Sequence, residues 1–243
     1  MAKWLEGRVI ENKHWTDALF SLRVEAPRLP FEAGQFVRIA LEESLARPFS
    51  FVNPPQDPVL EFYGIIVPDG PLSPRLAQLR AGDRLLVATN PAGFLVLAEV
   101  PDAETLWLVS TGTGIAPFLS ILRTDAPWQR FRNIVLVHAV RHARELVYRE
   151  LIARIGAGHP AVFRYVTFVS REPAPGALAG RIPAAITDGR LEKAAGIALD
   201  GSAHVMLCGN PQMLKDATAA LVQRGLRKHR RRAPGHITVE SFW

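Results

Sequence analysis

The first segment of this 243-residue chain that suits nucleotide chemistry is Arg47-Pro48-Phe49-Ser50. An arginine can clamp a diphosphate with two parallel hydrogen bonds, and an aromatic ring can stack on another flat ring. A serine hydroxyl can hydrogen-bond a ring nitrogen. Alone, such a tetrapeptide is more often an ordinary strand with one exposed arginine, so it needs support from elsewhere in the chain.

The second segment is the glycine-rich stretch 110–117, Ser-Thr-Gly-Thr-Gly-Ile-Ala-Pro. It lies between the apolar run 105–109, which predicts a buried strand, and 118–123, which predicts the start of a helix. Glycines in such a turn let backbone N–H groups approach a pyrophosphate, and the helix dipole favours negative charge there. The alternative is a tight strand-to-helix connection with no ligand.

Three arginines follow predicted strands in the second half of the chain. Arg141 comes after 134–140, Arg171 comes after 162–169, and Arg181 opens the next predicted helix. Ligands of open α/β sheets bind at the carboxyl ends of the strands. Arginine suits the extra charge of a 2′-phosphate, whereas an NADH site would favour a carboxylate. These positions therefore favour NADPH, although any one arginine taken alone is most simply a surface charge.

The elements that must position these residues change character near residue 100. Up to that point several short strand patterns at close spacing predict an antiparallel barrel, interrupted by a helix over 71–79 with Ser73 as its N-cap. Beyond it, apolar runs alternate with helical stretches predicted at 114–123, 144–155, 181–197 and 211–225. That alternation predicts a parallel sheet. We therefore expect two domains, 1–100 and 101–243.

Composition excludes several classes of protein. Cys208 is the single cysteine, so the chain can form no internal disulfide and no four-cysteine iron–sulfur cluster, and we predict no metal site. No run reaches the roughly 20 apolar residues of a membrane helix, and the start lacks a signal-peptide pattern, so we expect a cytoplasmic protein. The net charge is +6, with a basic run at 224–232. Without a nucleic-acid-binding module, this charge favours an acidic protein partner.

The order of three motifs resembles the ferredoxin–NADP reductase family, in its bacterial flavodoxin/ferredoxin form. The motifs are Arg47–Ser50, the 110–117 turn and Cys208-Gly209-Asn210-Pro211, and the likeness extends over 205–213 and 231–238. The resemblance implies an all-β antiparallel FAD-binding barrel followed by an α/β parallel-sheet NADP-binding domain, whose C-terminal tail returns to the flavin. It also implies an oxidoreductase that moves a hydride between NADPH and FAD, and we expect this protein to be a monomer. Single electrons then pass between FAD and an acidic carrier, ferredoxin or flavodoxin.

The same resemblance assigns site residues. Ser50, Cys208 and Glu240 are implied to line the junction of flavin and nicotinamide, and Phe242 and Trp243 to cover parts of FAD. The aromatic position holds Phe49, where the family commonly has tyrosine, so stacking is kept and a phenol hydrogen bond is lost. The other implied cofactor-binding residues are Arg47, Pro48, Tyr63, Leu72 and Ser73 for FAD, and Gly112, Thr113, Gly114, Arg141, Ser170, Arg171, Arg181 and Asn210 for NADP.

Two other functions stay open. One is a sister enzyme, an NAD(P)H-dependent flavin reductase that serves an oxygenase or ferric chelates. The other is a flavin-binding redox sensor without turnover. Reduction of ferredoxin or flavodoxin favours our preferred function over the sister enzyme. Anaerobic bleaching of the flavin by NADPH excludes the redox sensor. The histidines show no metal-ligand spacing, and His138, within an apolar strand, is interpreted as a core residue.

Overall fold

The computed structural model describes residues 3–241, so Phe242 and Trp243 lie outside the described residues. The chain forms two compact units. The first unit runs to Val96 and also includes Ala116–Thr124, while the second comprises Leu97–Ile115 and the chain from Asp125 onward. Nothing in the sequence indicated that 116–124 would group with the first unit, and the division expected after residue 100 stays a prediction.

The first unit is built on six antiparallel strands in the order β4-β3-β6-β1-β2-β5. The edge strands β4 and β5 are brought together by a bridge between Phe51 and Phe62, and Val52 N donates to Glu61 O at 2.8 Å. The sheet is therefore nearly closed into a barrel. Its strands are β1 (Trp4–His14), β2 (Leu19–Glu25), β3 (Phe36–Ala40), β4 (Ala46–Ser50), β5 (Val59–Ile65) and β6 (Arg84–Ala88).

Two helices complete this unit, α1 (Ser73–Ala77) and α2 (Ala116–Leu122). The side chain of Asn12 holds the end of α1, because its Nδ2 donates to Ala77 O at 3.0 Å and Leu79 O at 2.7 Å. Helix α2 is tied to the barrel by its own polar side chain, Ser120, whose Oγ donates to Asn53 O at 2.7 Å. These bonds give side-chain partners to backbone carbonyls at the end of α1 and at Asn53.

The second unit contains six parallel strands in the order β10-β9-β8-β7-β11-β12. The order reverses between β7 and β11, and the carboxyl edge at such a point is where open α/β sheets bind ligands. The strands are β7 (Thr105–Thr111), β8 (Asn133–Val140), β9 (Phe163–Val169), β10 (Leu178–Ala179), β11 (Ala203–Gly209) and β12 (Ile237–Ser241). The helices are α3 (Ala126–Arg130), α4 (Arg149–Gly158), α5 (Ile182–Thr187), α6 (Arg190–Ala195) and α7 (Pro211–Gln223).

The predicted fold class, an antiparallel barrel followed by a parallel α/β sheet, is confirmed. Near-continuous apolar runs in β7, β8 and β11 are typical of parallel strands with both faces covered. None of the helices in the described part of the chain combines the length and the apolar character that crossing a bilayer requires.

Several predicted elements were wrong in their limits. The helix expected over 144–155 begins only at Arg149, because Tyr148 adopts a left-handed conformation with φ 58°. The helix expected over 181–197 is two helices, since Gly189 interrupts it with φ 77°. The start of the helix expected at 114 is a 3-10 turn over Gly112–Ile115, and strands β10 and β12 were not predicted.

Candidate functional site

In the barrel, the segment Arg47–Ser50 forms most of strand β4. Ser50 is 4% exposed, and its Oγ has no hydrogen-bond partner among the residues that the structure describes. Arg47 is exposed, and its Nη1 donates to Ala46 O at 2.9 Å, which leaves most of its N–H donors available. Because buried hydroxyls are rarely left unpaired, Ser50 is a candidate to bind a ligand.

The Phe49 ring is half-buried and meets Phe62 edge to face, with centroids 6.4 Å apart. Gly64 makes room for it, since a Cβ at that position would lie 2.9 Å from Phe49 Cε1 and 2.9 Å from Phe20 Cζ. The neighbouring Tyr63 is buried on β5. Sequence reasoning missed Gly64, because a single glycine inside a strand pattern does not reveal which ring it accommodates.

The start of α1 differs from the prediction in one respect. Ser73 is not the N-cap; Leu72 occupies that position and is buried. The Ser73 hydroxyl instead accepts a hydrogen bond from Val67 N at 2.9 Å, so it stabilises the loop that leads into the helix. The prediction failed because a Ser-Pro pair is compatible with a helix that begins one residue earlier or later, so the pair does not fix which residue is the N-cap. The proposed roles of Leu72 and Ser73 in FAD binding stay predictions.

In the parallel sheet, two glycines bring the turns after β7 and β11 into close contact. A Cβ on Gly114 would lie 2.6 Å from Cys208 O and 2.9 Å from the Gly209 Cα. Gly209 has φ 131°, and a Cβ there would collide with Thr111. Both positions therefore require glycine, and the backbone of the 112–114 turn is held against the end of β11.

Asn210 connects this pair of turns to helix α7. Its backbone N donates to Thr111 Oγ1 at 2.8 Å, and its side-chain Oδ1 accepts from Gln212 N and Met213 N at 2.9 and 3.2 Å. Asn210 is thus the N-cap of α7. Its predicted contact with a cofactor stays a prediction, but its structural role is clear.

His138 makes a contact with the 112–114 turn that the sequence did not disclose. It is fully buried on β8, and its Nε2 lies 3.0 Å from Gly112 O. Burial lowers the pKa of His138 to about 4, so the ring is neutral at pH 7 and Nε2–H donates to the glycine carbonyl. The core assignment was correct, but the contact that fixes the Gly112 peptide depends on the three-dimensional fold.

Cys208 and Glu240 face each other in register on β11 and β12. The cysteine has no exposed surface, and burial, followed by the charge of Glu240, raises the pKa of its thiol well above the ordinary range. Cys208 therefore stays a thiol and acts as a small apolar side chain, not as a nucleophile. The implied positions of Phe242 and Trp243 lie outside the described residues.

The predicted phosphate-binding residues lie at the carboxyl edge of the sheet. Ser170 and Arg171 follow β9, Arg141 follows β8, and Arg171 N donates to Arg141 O at 3.0 Å. Arg181 is the N-cap residue of α5. All three arginines are exposed, and none makes an ion pair with another residue in the described part of the chain. Unpaired guanidinium groups beside glycine turns can bind nucleotide phosphates.

A nearly closed barrel and a parallel sheet with such an edge define a two-unit protein whose sheet is suited to bind a nucleotide. Residues 108–219 match the family model described as the oxidoreductase NAD-binding domain. The chain is 52% identical to a flavodoxin/ferredoxin–NADP reductase of Shigella flexneri, with all of both chains covered. It is 36% identical to a ferredoxin–NADP reductase of Pseudomonas aeruginosa, over 99% of this chain and 98% of that protein.

A solved structure gives the same result. The ferredoxin NADP+ reductase from Neisseria gonorrhoeae, with bound FAD and NADP, superimposes with a TM-score of 0.94 at 34% identity, and all of both chains is covered. The chain therefore belongs to the flavodoxin/ferredoxin–NADP reductase family, and the resemblance inferred from its motifs is confirmed.

Proposed function

We propose that this protein transfers a hydride between NADPH and FAD and single electrons between FAD and ferredoxin or flavodoxin. Full-length identity of 52% to a reductase named for these carriers is the observation that supports this function most strongly. The Neisseria gonorrhoeae structure, which holds FAD and NADP, supports the same pair of cofactors. When bound, FAD supplies the step between two-electron and one-electron transfer, while the protein binds and orients.

The residues proposed to hold FAD belong to the first unit. The unpaired Ser50 hydroxyl suits a flavin nitrogen, the half-buried Phe49 ring suits stacking on a flat surface, and the exposed Arg47 suits the diphosphate. Pro48, Tyr63, Leu72 and Ser73 are proposed to complete this set. The chemistry of these side chains fits FAD, because it combines apolar surface with one cation.

The residues proposed to hold NADPH belong to the second unit. Gly112, Thr113 and Gly114 offer backbone N–H groups, and Arg141, Ser170, Arg171 and Arg181 suit the 2′-phosphate. Asn210 is proposed as a further contact. Cys208 and Glu240, together with Ser50, are the residues proposed to lie near the reacting atoms, and Phe242 and Trp243 are proposed to cover FAD. We propose the domains as 1–100 and 101–243, with the tail returning to the flavin.

The charge of the protein supports an acidic electron carrier as partner. Within the basic run 224–232, Arg224 pairs with Glu192 and Arg231 pairs with Glu99. Other cations of this run are exposed and form no ion pair with described residues, namely Arg227, Lys228, Arg230 and Arg232. Such a surface attracts acidic partners at a rate that falls with ionic strength. A monomer located in the cytoplasm is part of this proposal.

Anaerobic mixing tests the proposed function. Purified protein reconstituted with FAD is mixed with NADPH or NADH while the visible spectrum is recorded, and we expect NADPH to bleach the flavin much faster. The reduced enzyme is then given flavodoxin, ferredoxin or ferric citrate. Reduction of ferric citrate without either protein carrier favours the sister reductase, and a flavin that NADPH never bleaches favours the redox sensor.

A further inference from the structure

The carboxyl edge of the parallel sheet holds two carboxylates that, among the described residues, form no ion pair with its arginines. Glu145 Oε2 accepts hydrogen bonds from the backbone N–H groups of Arg141 and His142 at 2.9 and 3.4 Å. Glu172 Oε1 accepts from Ala143 N at 2.7 Å, and its Oε2 lies 3.3 Å from His142 Nδ1. Both acids therefore bind the 141–143 turn, and neither forms an ion pair with Arg141 or Arg171 in the described part of the chain.

Glu172 differs from Glu145 because it joins two separate turns. Its own turn follows β9, whereas the groups that it accepts from lie in the turn that follows β8. Two backbone hydrogen bonds already link these turns, from Ser170 N to Val140 O at 3.1 Å and from Arg171 N to Arg141 O at 3.0 Å. The hydrogen bond from Ala143 N to Glu172 adds a third link between the two turns, beyond the residues at which β8 and β9 end.

We propose that Glu172 is a positioning residue for recognition of the 2′-phosphate of NADPH. By holding the 141–143 turn against 170–172, it adds to the backbone bonds that fix the main chain of Arg141 relative to that of Arg171, so that both arginines are presented to one dianion. Preorganised cations bind a phosphate more tightly than mobile ones, because less side-chain and loop entropy is lost on binding. This inference depends on the proposed function, since it assumes that NADPH occupies the sheet edge.

The pKa of Glu172 is lowered, first by the Ala143 N–H hydrogen bond and then by His142, so the group is a carboxylate at neutral pH. A carboxylate beside a phosphate dianion repels it. Simple electrostatics therefore predicts that removal of Glu172 tightens NADPH binding, whereas positioning predicts that removal weakens it. The two explanations differ in the sign of the effect.

Two substitutions separate charge from position. Glu172→Ala removes both the charge and the acceptor, while Glu172→Gln removes the charge and keeps an oxygen that can accept from Ala143 N–H. We expect Glu172→Ala to raise the KM for NADPH about tenfold, because the 141–143 turn must then be ordered on binding without the charged hydrogen bond from Ala143 N to Glu172. We expect kcat and the KM for NADH to stay unchanged, and Glu172→Gln to bind NADPH at least as tightly as the native protein.

The matched control is Glu150→Ala, which removes the same charge from an exposed position on α4. Binding of 2′,5′-ADP and 5′-AMP, measured by calorimetry on the FAD-loaded protein, gives a readout without turnover. A Glu172→Ala protein that binds 2′,5′-ADP as tightly as the native one overturns the inference, as does an equal loss for both nucleotides. If Arg171→Gln also changes the affinities for 2′,5′-ADP and 5′-AMP by the same factor, the proposed 2′-phosphate site itself is wrong.

Discussion

The two sets of candidate residues are built on different physical principles. In the barrel, Phe49 and Ser50 lie within a strand, one ring half-buried and one hydroxyl fully buried. At the edge of the sheet, Arg141 and Arg171 lie beyond the strand ends, exposed and without ion pairs among the described residues. The first set is suited to remove an apolar ring from water, and the second is suited to attract a charged group from water.

The difference extends to what holds each set in place. The barrel residues are fixed by strand pairing and by ring packing, such as the contact of Phe49 with Phe62. The sheet residues depend on turns, and the turns depend on close backbone contacts at Gly114 and on one buried histidine, His138, which donates to Gly112 O. We therefore expect single substitutions and acid to perturb the sheet edge more than the barrel.

Acid tolerance is the first way to test this comparison. The second unit buries His138 and His204, and burial lowers the pKa of each to about 4 from an ordinary 6.5. The first unit contains one histidine, His14, which is exposed. The unfolded chain takes up these protons near pH 6.5, whereas the folded chain does so only near pH 4. The stability that the two neutral rings contribute is therefore fully present above pH 6.5 and is lost as the pH falls from 6.5 to 4. For His138 alone this loss is about 3 kcal/mol in the free energy of unfolding.

Urea unfolding at pH 7, 6 and 5 measures this loss in native protein, His138→Gln and the control Gln223→Ala, which changes an exposed side chain at the end of α7. We expect the free energy of unfolding of His138→Gln to depend less steeply on pH, while Gln223→Ala, which removes no ionisable group, keeps the native slope. The comparison uses slopes, so it tolerates a general loss of stability in either variant. Equal slopes in all three proteins contradict the assignment of His138 as a buried neutral ring.

Replacement of a glycine in the 112–114 turn tests the backbone contacts. In Gly114→Ala the added Cβ meets the backbone of Cys208 and Gly209, which cannot move as a side chain would, so the turn itself must shift. A displacement near 1 Å at a reacting group costs about 100-fold in rate. We expect a loss of this size in the stopped-flow rate of flavin bleaching by NADPH, with FAD content unchanged.

The control for Gly114→Ala is Gly158→Ala, because a Cβ there meets no atom within 4 Å. We expect native rates from this variant. A Gly114→Ala protein that bleaches at the native rate would mean that the turn lies away from the reacting nicotinamide. A loss of FAD from Gly114→Ala alone would instead mean that the two sets of residues are not independent.

The sequence was informative where periodicity and local motifs decide the structure. Alternating strands, the apolar run 105–109 and the arginines after predicted strands indicated the barrel, the parallel sheet and its charged edge. It was not informative where distant segments meet: the room that Gly64 leaves for Phe49, the bond from His138 to Gly112 and the link from Glu172 to Ala143 all join separate elements. The predicted helix limits were wrong at Tyr148 and Gly189, because one residue in the left-handed conformation interrupts the helix at each position.

Paired arginine substitutions give the smallest expected effect and the sharpest comparison of the two sets. We expect Arg171→Gln to raise the KM for NADPH about tenfold and to leave NADH and FAD unaffected, because only the 2′-phosphate loses a charged hydrogen bond. We expect Arg47→Gln to weaken FAD about tenfold, measured by titration of the apoprotein, without changing the preference for NADPH. Arg154→Gln, at an exposed position on α4, is the matched control. Equal losses for NADPH and NADH in Arg171→Gln would contradict the 2′-phosphate assignment, and a changed coenzyme preference in Arg47→Gln would show that the barrel arginine does not serve FAD alone.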